Sequence, residues 1–156
     1  MVTYAPALRV LFVDDDPDHA VLITRAIKEA DTTAEIHTAS DGEAALALLR
    51  TTEDVSPDLV DLVLLDINLP GLSGLDVLAQ IKGDAALRRL PVVMLTSSEL
   101  SSDIARAYEL GASGYISKPS LMHDLRAVLG NTLLYWSAMK RAPLRYVQPV
   151  WEGEDL

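Results

Sequence analysis

The fold is decided by the stretch LRVLFVDDDP at residues 8–17. Its apolar half has the length of a buried strand, and three consecutive aspartates end that run. Pro17 suits the first turn of a helix, and apolar residues at helical spacing follow from Ala20 to Ile27. The stretch therefore predicts a buried strand, an acidic loop and a helix, the repeating unit of a parallel sheet.

The same alternation of strand and helix continues along the chain. Further strand-like segments stand at residues 34–39, 62–65, 91–95 and 115–117, and a helical segment follows each of them. Because strands that are almost entirely apolar need cover on both faces, the sheet is expected to be parallel with helices on either side. The sequence therefore predicts an α/β fold with one doubly wound, five-stranded parallel sheet and no second domain.

Composition excludes several classes of protein. The chain has 156 residues, with 13 Lys and Arg against 23 Asp and Glu, and its net charge of −10 argues against a nucleic-acid-binding face. It has no Cys, so a disulfide framework and a thiolate-based site are excluded. No apolar window approaches the roughly 18 residues of a membrane span, and the N-terminal region lacks the basic segment of a signal peptide. We expect a cytoplasmic protein that contacts neither nucleic acid nor membrane.

Polar residues follow the carboxyl ends of four predicted strands. Asp14 and Asp15 follow the first strand, Asp66 follows the third, Thr96 ends the fourth and Lys118 follows the fifth. In a parallel sheet these ends share one edge, which is where ligands bind. Each residue taken alone could simply cap a helix. Capping does not explain why all of them fall at the same edge, so we expect a functional cluster there.

Electrostatics indicate which ligand this cluster needs. Two carboxylates about 4 Å apart repel by roughly 4 kcal/mol at an effective dielectric constant of about 20, so three stay ionised together only beside cations. Lys118 supplies one positive charge, and a divalent metal would supply the rest. Oxygen ligands without Cys favour Mg²⁺ or Mn²⁺ over zinc. An aspartate, a hard cation, a lysine and a hydroxyl together indicate phosphoryl transfer to or from Asp66.

Four segments resemble the receiver domain of two-component response regulators. They are VDDDP at 13–17, LLDINLPGLSG at 64–74, LTS at 95–97 and GYISKP at 114–119. The resemblance covers about residues 7–136 and implies the flavodoxin-like (βα)5 receiver fold. Residues 81–93 and the pair Tyr135-Trp136 resemble, more loosely, stand-alone receivers that partner phytochrome-type histidine kinases. The resemblance implies a signalling protein, not an enzyme, that catalyses only its own phosphorylation and dephosphorylation.

The resemblance also implies an acceptor and a metal site. Asp66 would be the phospho-acceptor and one of the metal ligands. Asp15 would bind Mg²⁺ directly, Asp14 would bind it largely through water, and the backbone carbonyl of Asn68 would be a further ligand.

Further roles are implied for residues at the ends of the fourth and fifth strands. Lys118 would pair with the phosphoryl oxygens, and Thr96 would hydrogen-bond the phosphoryl group. Tyr115 would be the aromatic switch beside Thr96. Pro119 would follow a cis peptide bond, since bonds before proline are the ones in which the cis form costs little.

Partners are implied as well. A sensor histidine kinase, with the phytochrome type as the candidate, would phosphorylate Asp66. The output would pass to an unidentified downstream protein or through a homodimer, because residues 137–156 are expected to form a tail with no output domain. The dimer would use the fourth helix, fifth strand and fifth helix. Val128 and Trp136 lie beside a leucine stripe on the last helix, and one helix is not expected to bury both strips; the stripe consists of Leu121, Leu125, Leu129 and Leu133.

Two other functional classes match the sequence less well. A phosphatase of the haloacid dehalogenase type also uses an aspartyl phosphate, but it needs a second Asp two residues after the nucleophile, where this chain has Asn68. Its acidic pair also belongs late in the chain, whereas Asp14 and Asp15 stand near the start. A degenerate receiver that serves only for docking would not need the intact set of polar residues.

Some polar residues are expected to have no direct part in the chemistry. Asp16 is expected to cap the first helix. His19, His37 and His123 are expected to be solvated, on helix or strand surfaces far from the strand ends.

Overall fold

The structure, a computed structural model, describes residues 7–50, 60–118 and 124–139. Within these ranges five strands alternate with five helices. The strands are β1 (Arg9–Val13), β2 (Glu35–Ala39), β3 (Leu62–Leu65), β4 (Val92–Thr96) and β5 (Gly114–Ser117). The helices are α1 (Pro17–Ala30), α2 (Gly42–Arg50), α3 (Gly74–Gly83), α4 (Ser101–Glu109) and α5 (Leu125–Ala138).

The five strands form one parallel sheet in the order β2-β1-β3-β4-β5. Strand β1 pairs with β2 on one side and with β3 on the other, so the strand order reverses at β1. In such a sheet, the crevice beyond the carboxyl ends at this reversal is the usual place for a ligand. The prediction of a doubly wound, five-stranded parallel sheet is confirmed.

Each face of the sheet carries its own apolar layer. In β1, Leu11 and Val13 belong to the layer that packs under α2 and α3, whereas Val10 and Phe12 belong to the layer under α1 and α5. All of β3 and β4 is buried. Because both faces are covered, these central strands read as continuous apolar runs in the sequence.

Helix α3 begins directly against the end of β3. A capping box starts it, in which the Asp76 amide donates to Ser73 Oγ at 3.2 Å and the Ser73 amide donates to Asp76 Oδ2 at 3.3 Å. A Cβ atom on Gly74 would lie 1.9 Å from the backbone oxygen of Asp66. Only glycine therefore allows the helix to approach the residue that follows β3 so closely.

Helix α5 buries its two apolar strips to different extents. Leu129 and Leu133 are buried, and Val128 and Trp136 also pack, partly buried, against the same layer. As expected, this one helix does not bury both strips completely. Its most exposed large apolar side chains lie outside both strips; they are Leu134 and Tyr135, with Met139 directly after the helix.

The end of the chain is described only in part. Helix α5 extends to Ala138, and residues 140–156 of the expected tail lie outside the described residues, as does Leu121 of the leucine stripe. Within the described ranges, every helix is too short or too polar to cross a bilayer.

Candidate functional site

Four polar side chains are buried among the described residues, and each stands at the carboxyl end of a strand. Asp14 follows β1, Asp66 follows β3, Thr96 ends β4 and Lys118 follows β5. Their exposed fractions are 4%, 3%, 0% and 7%, respectively. Burying charged groups costs free energy unless other groups compensate them. The sheet therefore concentrates its buried polarity at one edge, in the crevice beside the reversal of strand order.

The ammonium of Lys118 joins two of these carboxylates. Its Nζ atom donates a hydrogen bond to Asp66 Oδ2 at 2.8 Å and lies 2.6 Å from Asp14 Oδ2. Burial alone would lower the pKa of Lys118, but the two carboxylates outweigh burial and raise that pKa above its usual value. Lys118 is therefore a charged group fixed between the ends of β1 and β3.

The second oxygen of each carboxylate is held by its own loop. Asp14 Oδ1 accepts a hydrogen bond from the Asp16 amide at 2.9 Å, and Asp66 Oδ1 accepts one from the Asn68 amide at 3.1 Å. The Asp66 amide in turn donates to the carbonyl of Val13 at 3.0 Å. Both carboxylates are thus oriented before any ligand arrives, with one oxygen on the backbone and the other toward Lys118.

Three acidic residues at this edge have the donor set of a metal site. Asp14, Asp15 and Asp66 each offer one carboxylate oxygen, and these three atoms lie within 4.8 Å of one another. Asp14 Oδ2 is buried and accepts no hydrogen bond of good angular geometry, although Lys118 pairs with it. Three carboxylates beside one ammonium carry excess negative charge. A hard divalent cation such as Mg²⁺ or Mn²⁺ fits this set of oxygen donors.

His19 is a member of the site that the sequence analysis missed. Its Nδ1 atom lies 3.2 Å from Lys118 Nζ and 3.6 Å from both Asp14 Oδ2 and Asp16 Oδ2. The expectation that His19 is solvated, far from the strand ends, is wrong. His37 is exposed on β2, as expected, and His123 lies outside the described residues.

The position of His19 in α1 explains this contact. Asp16 caps α1 as predicted, since its side chain accepts hydrogen bonds from the amides of Asp18 and His19. His19 therefore belongs to the first turn of the helix. Side chains in a helix lean toward its N-terminus, so a residue in this turn points back to the strand end. That rule, applied to the acidic stretch, could have identified His19.

A hydrogen-bonded loop surrounds Thr96 and Tyr115. Thr96 Oγ1 accepts a hydrogen bond from the Ser98 amide at 3.3 Å. Ser98 Oγ donates to Asp103 Oδ2 at 2.5 Å in the first turn of α4. Burial raises the pKa of the Tyr115 phenol, so the phenol keeps its proton and can donate a hydrogen bond. Pro119 and the peptide bond before it lie outside the described residues.

Comparison with known proteins gives a family for this arrangement. The family model for the response regulator receiver domain matches residues 10–130. The probable methanogenesis regulatory protein FilR2 of Methanothrix harundinacea is 40% identical over 134 residues, 86% of this chain and 86% of that protein. The response regulator Rcp1 of Synechocystis is 33% identical over 132 residues, 84% of this chain and 90% of its own length.

Solved structures of similar proteins share the fold. The phosphorylated cyanobacterial phytochrome response regulator RcpA superimposes with a TM-score of 0.78 at 32% identity, covering 86% of this chain and 98% of RcpA. The Mn²⁺-bound form of Rcp1 gives a TM-score of 0.71 at 32% identity, covering 85% of this chain and 96% of Rcp1.

Proposed function

The chain belongs to the response regulator receiver domain family, and we propose that it is a response regulator whose Asp66 accepts a phosphoryl group from a sensor histidine kinase. Residues 7–136 would form the receiver and residues 137–156 a tail. The observation that carries the proposal is the buried contact of 2.8 Å between Asp66 Oδ2 and Lys118 Nζ inside an acidic cluster. The family acts in two-component signalling, so we treat the chain as a switch and not as a metabolic enzyme.

Asp66 has the environment of a nucleophile. Its carboxylate oxygen would form a bond to phosphorus while the bond between phosphorus and the kinase histidine nitrogen breaks. The electron pair of that bond stays on the ring nitrogen, and a phosphohistidine that carries a proton on its other ring nitrogen then leaves as a neutral histidine. The hydrogen bond from the Asn68 amide fixes the carboxylate so that it presents its remaining lone pairs. A carboxylate oriented in this way loses little freedom when it reacts.

Asp14, Asp15, Asp66 and the backbone carbonyl of Asn68 would hold Mg²⁺. The ion would neutralise the charge of the carboxylates and of the phosphoryl oxygens. Lys118 would pair with a phosphoryl oxygen, and its raised pKa keeps it protonated for that task. Thr96 would turn its hydroxyl from the Ser98 amide toward the phosphoryl group, and Tyr115 would respond as the switch.

The phytochrome type is the candidate for the kinase. The support for it is the similarity to RcpA, which is described as a phytochrome response regulator, over 86% of this chain. Phosphotransfer from purified histidine kinases of the same organism tests this. Phytochrome-type kinases should react fastest, and a faster transfer from a kinase of another type would contradict the assignment.

The signal would pass either to a downstream protein or through a homodimer that forms by way of α4, β5 and α5. Tyr108 and Tyr135 are 51% and 55% exposed, and both line a groove on this face together with Tyr115 and Trp136. Exposed aromatic residues of this kind are enriched at interfaces. Light scattering with and without beryllofluoride tests the dimer, and a monomeric mass under both conditions would contradict it.

The acceptor assignment is tested with acetyl phosphate and Mg²⁺. The wild-type chain should gain one phosphoryl group by intact mass, and Asp66→Asn should gain none while keeping its fold. An equal yield of acid-stable, alkali-labile phosphate on Asp66→Asn would overturn the assignment. A chain that only docks to partners would take up no phosphate, and a phosphatase would release phosphate from added phosphate esters.

A further inference from the structure

Three side chains surround the Lys118 ammonium. Asp66 Oδ2 accepts a hydrogen bond from it at 2.8 Å, His19 Nδ1 lies 3.2 Å from it, and Asp14 Oδ2 forms an ion pair with it at 2.6 Å. An ammonium has no lone pair, so His19 must offer the lone pair of Nδ1 in this contact. Nδ1 can act in this way only where it carries no hydrogen; Asp14 Oδ2 and Asp16 Oδ2 lie farther from it, at 3.6 Å.

The two carboxylate acceptors would both change during phosphorylation. The Asp66 carboxylate would become an acyl phosphate, whose phosphoryl oxygens then carry the negative charge, and Asp14 would be shared between Lys118 and the metal. His19 is then the acceptor that the chemistry leaves unaltered. We propose that His19 is a positioning residue that holds Lys118 in place through the phosphorylation cycle, a role that rests on the function proposed above.

The surroundings of His19 suit this role. Lysine has a flexible stem of four carbons, and its ammonium needs a fixed acceptor to stay at one point. Asp16 fixes the backbone of His19 through the cap of α1. The His19 side chain is 33% exposed, whereas the side chains of Lys118 and Asp66 beside it are buried. A small misplacement of a group that contacts the transferred phosphoryl oxygens is enough to slow transfer strongly.

Substitutions at position 19 show whether His19 acts as a hydrogen-bond acceptor or only fills space. The amide oxygen of Asn can occupy the place of Nδ1, whereas that of Gln extends to the place of Nε2. His19→Ala and His19→Gln should lower the rate of phosphorylation by acetyl phosphate about tenfold, the equivalent of one hydrogen bond to a charged group. His19→Asn should stay within about threefold of the wild-type rate. His37→Ala, at an exposed position of β2, is the matched control.

A second measurement reads the contact without any phosphoryl donor. The ammonium signal of Lys118 in proton–nitrogen NMR should be visible in the wild type and in His19→Asn, because hydrogen bonding slows its exchange with water. It should broaden in His19→Ala and His19→Gln. A wild-type rate in His19→Ala, or a rate in His19→Asn as low as in His19→Ala, would overturn the role of His19. If Asp66→Asn were phosphorylated, the proposed function would fail, and the ammonium signal would still decide whether His19 holds Lys118.

Discussion

Tyr115 donates a hydrogen bond from its phenolic oxygen to the backbone carbonyl of Ser98, 2.7 Å away. The amide of the same Ser98 donates to Thr96 Oγ1, and its hydroxyl donates to Asp103 in α4. One loop residue thus connects the hydroxyl at the end of β4, the aromatic ring of β5 and the first turn of α4. A movement of Thr96 toward Asp66 would release the Ser98 amide and so alter the other two contacts.

Tyr115→Phe removes one of these contacts. We expect it to lower the free energy of unfolding by about 0.5–1.5 kcal/mol, because the Ser98 carbonyl loses its partner. Amide exchange at the start of α4 should also become faster. Tyr108→Phe is the control, because that side chain is 51% exposed. Equal stability of Tyr115→Phe and Tyr108→Phe in urea unfolding would count against the importance of this contact.

Thr96→Ala should accept phosphate but switch incompletely. A charge-assisted hydrogen bond contributes roughly 1.5–3 kcal/mol, whereas a shift from 1:99 to 99:1 needs about 5.5 kcal/mol. Lys118 and the metal must therefore contribute the rest. Beryllofluoride should change amide exchange in residues 97–118 and 124–136 less in Thr96→Ala than in the wild type. Thr96→Ser keeps the hydroxyl and should behave like the wild type; a full wild-type change in Thr96→Ala would reject this route.

Asp14→Ala and Asp15→Ala should separate stability from metal binding. Each substitution removes a carboxylate that repels its neighbours, and this effect alone would make both apo proteins more stable. Asp14, however, holds the Asp16 amide and Lys118, so its removal should destabilise the apo protein by about 1–3 kcal/mol. Asp15 is exposed, and its removal should change stability by less than about 0.5 kcal/mol.

Asp15→Ala should nevertheless lose more Mg²⁺ affinity than Asp14→Ala, since it would remove a direct ligand. Metal titration followed by intrinsic fluorescence, together with urea unfolding, measures both effects. Unchanged Mg²⁺ affinity in Asp15→Ala would exclude this residue from the metal site.

Gly74→Ala should be strongly destabilising. Its Cβ would meet the Asp66 carbonyl, so either α3 or the end of β3 must move, at a cost of about 3 kcal/mol or more. Gly130→Ala is the opposite case, because Gly130 lies within α5 and a Cβ atom there would have open space around it. It should gain up to about 1 kcal/mol from helix propensity. Comparable thermal midpoints for the two variants would contradict the close approach at Gly74.

Lys118→Met gives a prediction for alkaline pH. Removing the ammonium leaves two buried carboxylates unpaired, which should cost about 3–5 kcal/mol near pH 7. Because the folded-state pKa of Lys118 is raised, its stabilising contribution is fully present below the unfolded value of about 10.4 and is lost as pH rises through the folded value. Denaturant unfolding of both proteins should show a constant difference up to about pH 10 and a narrowing difference above it. A difference that narrows below pH 9 would contradict the raised pKa.

The sequence predicts the sheet and the edge on which the site lies, for reasons that are local and topological. Apolar runs of strand length need cover on two faces, and parallel strands then bring their carboxyl ends together. Asp14, Asp66, Thr96 and Lys118 are placed by these two rules alone.

Contacts that depend on the direction in which a side chain points were harder to predict. His19 reaches the site because it stands in the first turn of α1, a detail that apolar spacing does not reveal. On α5 both apolar strips are accommodated because the helix packs against α1 as well as against the sheet, which periodicity along one helix cannot show.

The site is assembled from chain segments that are far apart in sequence. Asp66 and Lys118, which share a hydrogen bond, are 52 residues apart, and the strands that carry them are separated by β4 in the sheet. Such non-local contacts form late in folding, after the cost of closing long loops has been met. A partly folded chain therefore lacks the complete cluster of polar side chains. Under the proposed function, only molecules that have finished folding would be able to receive the phosphoryl group.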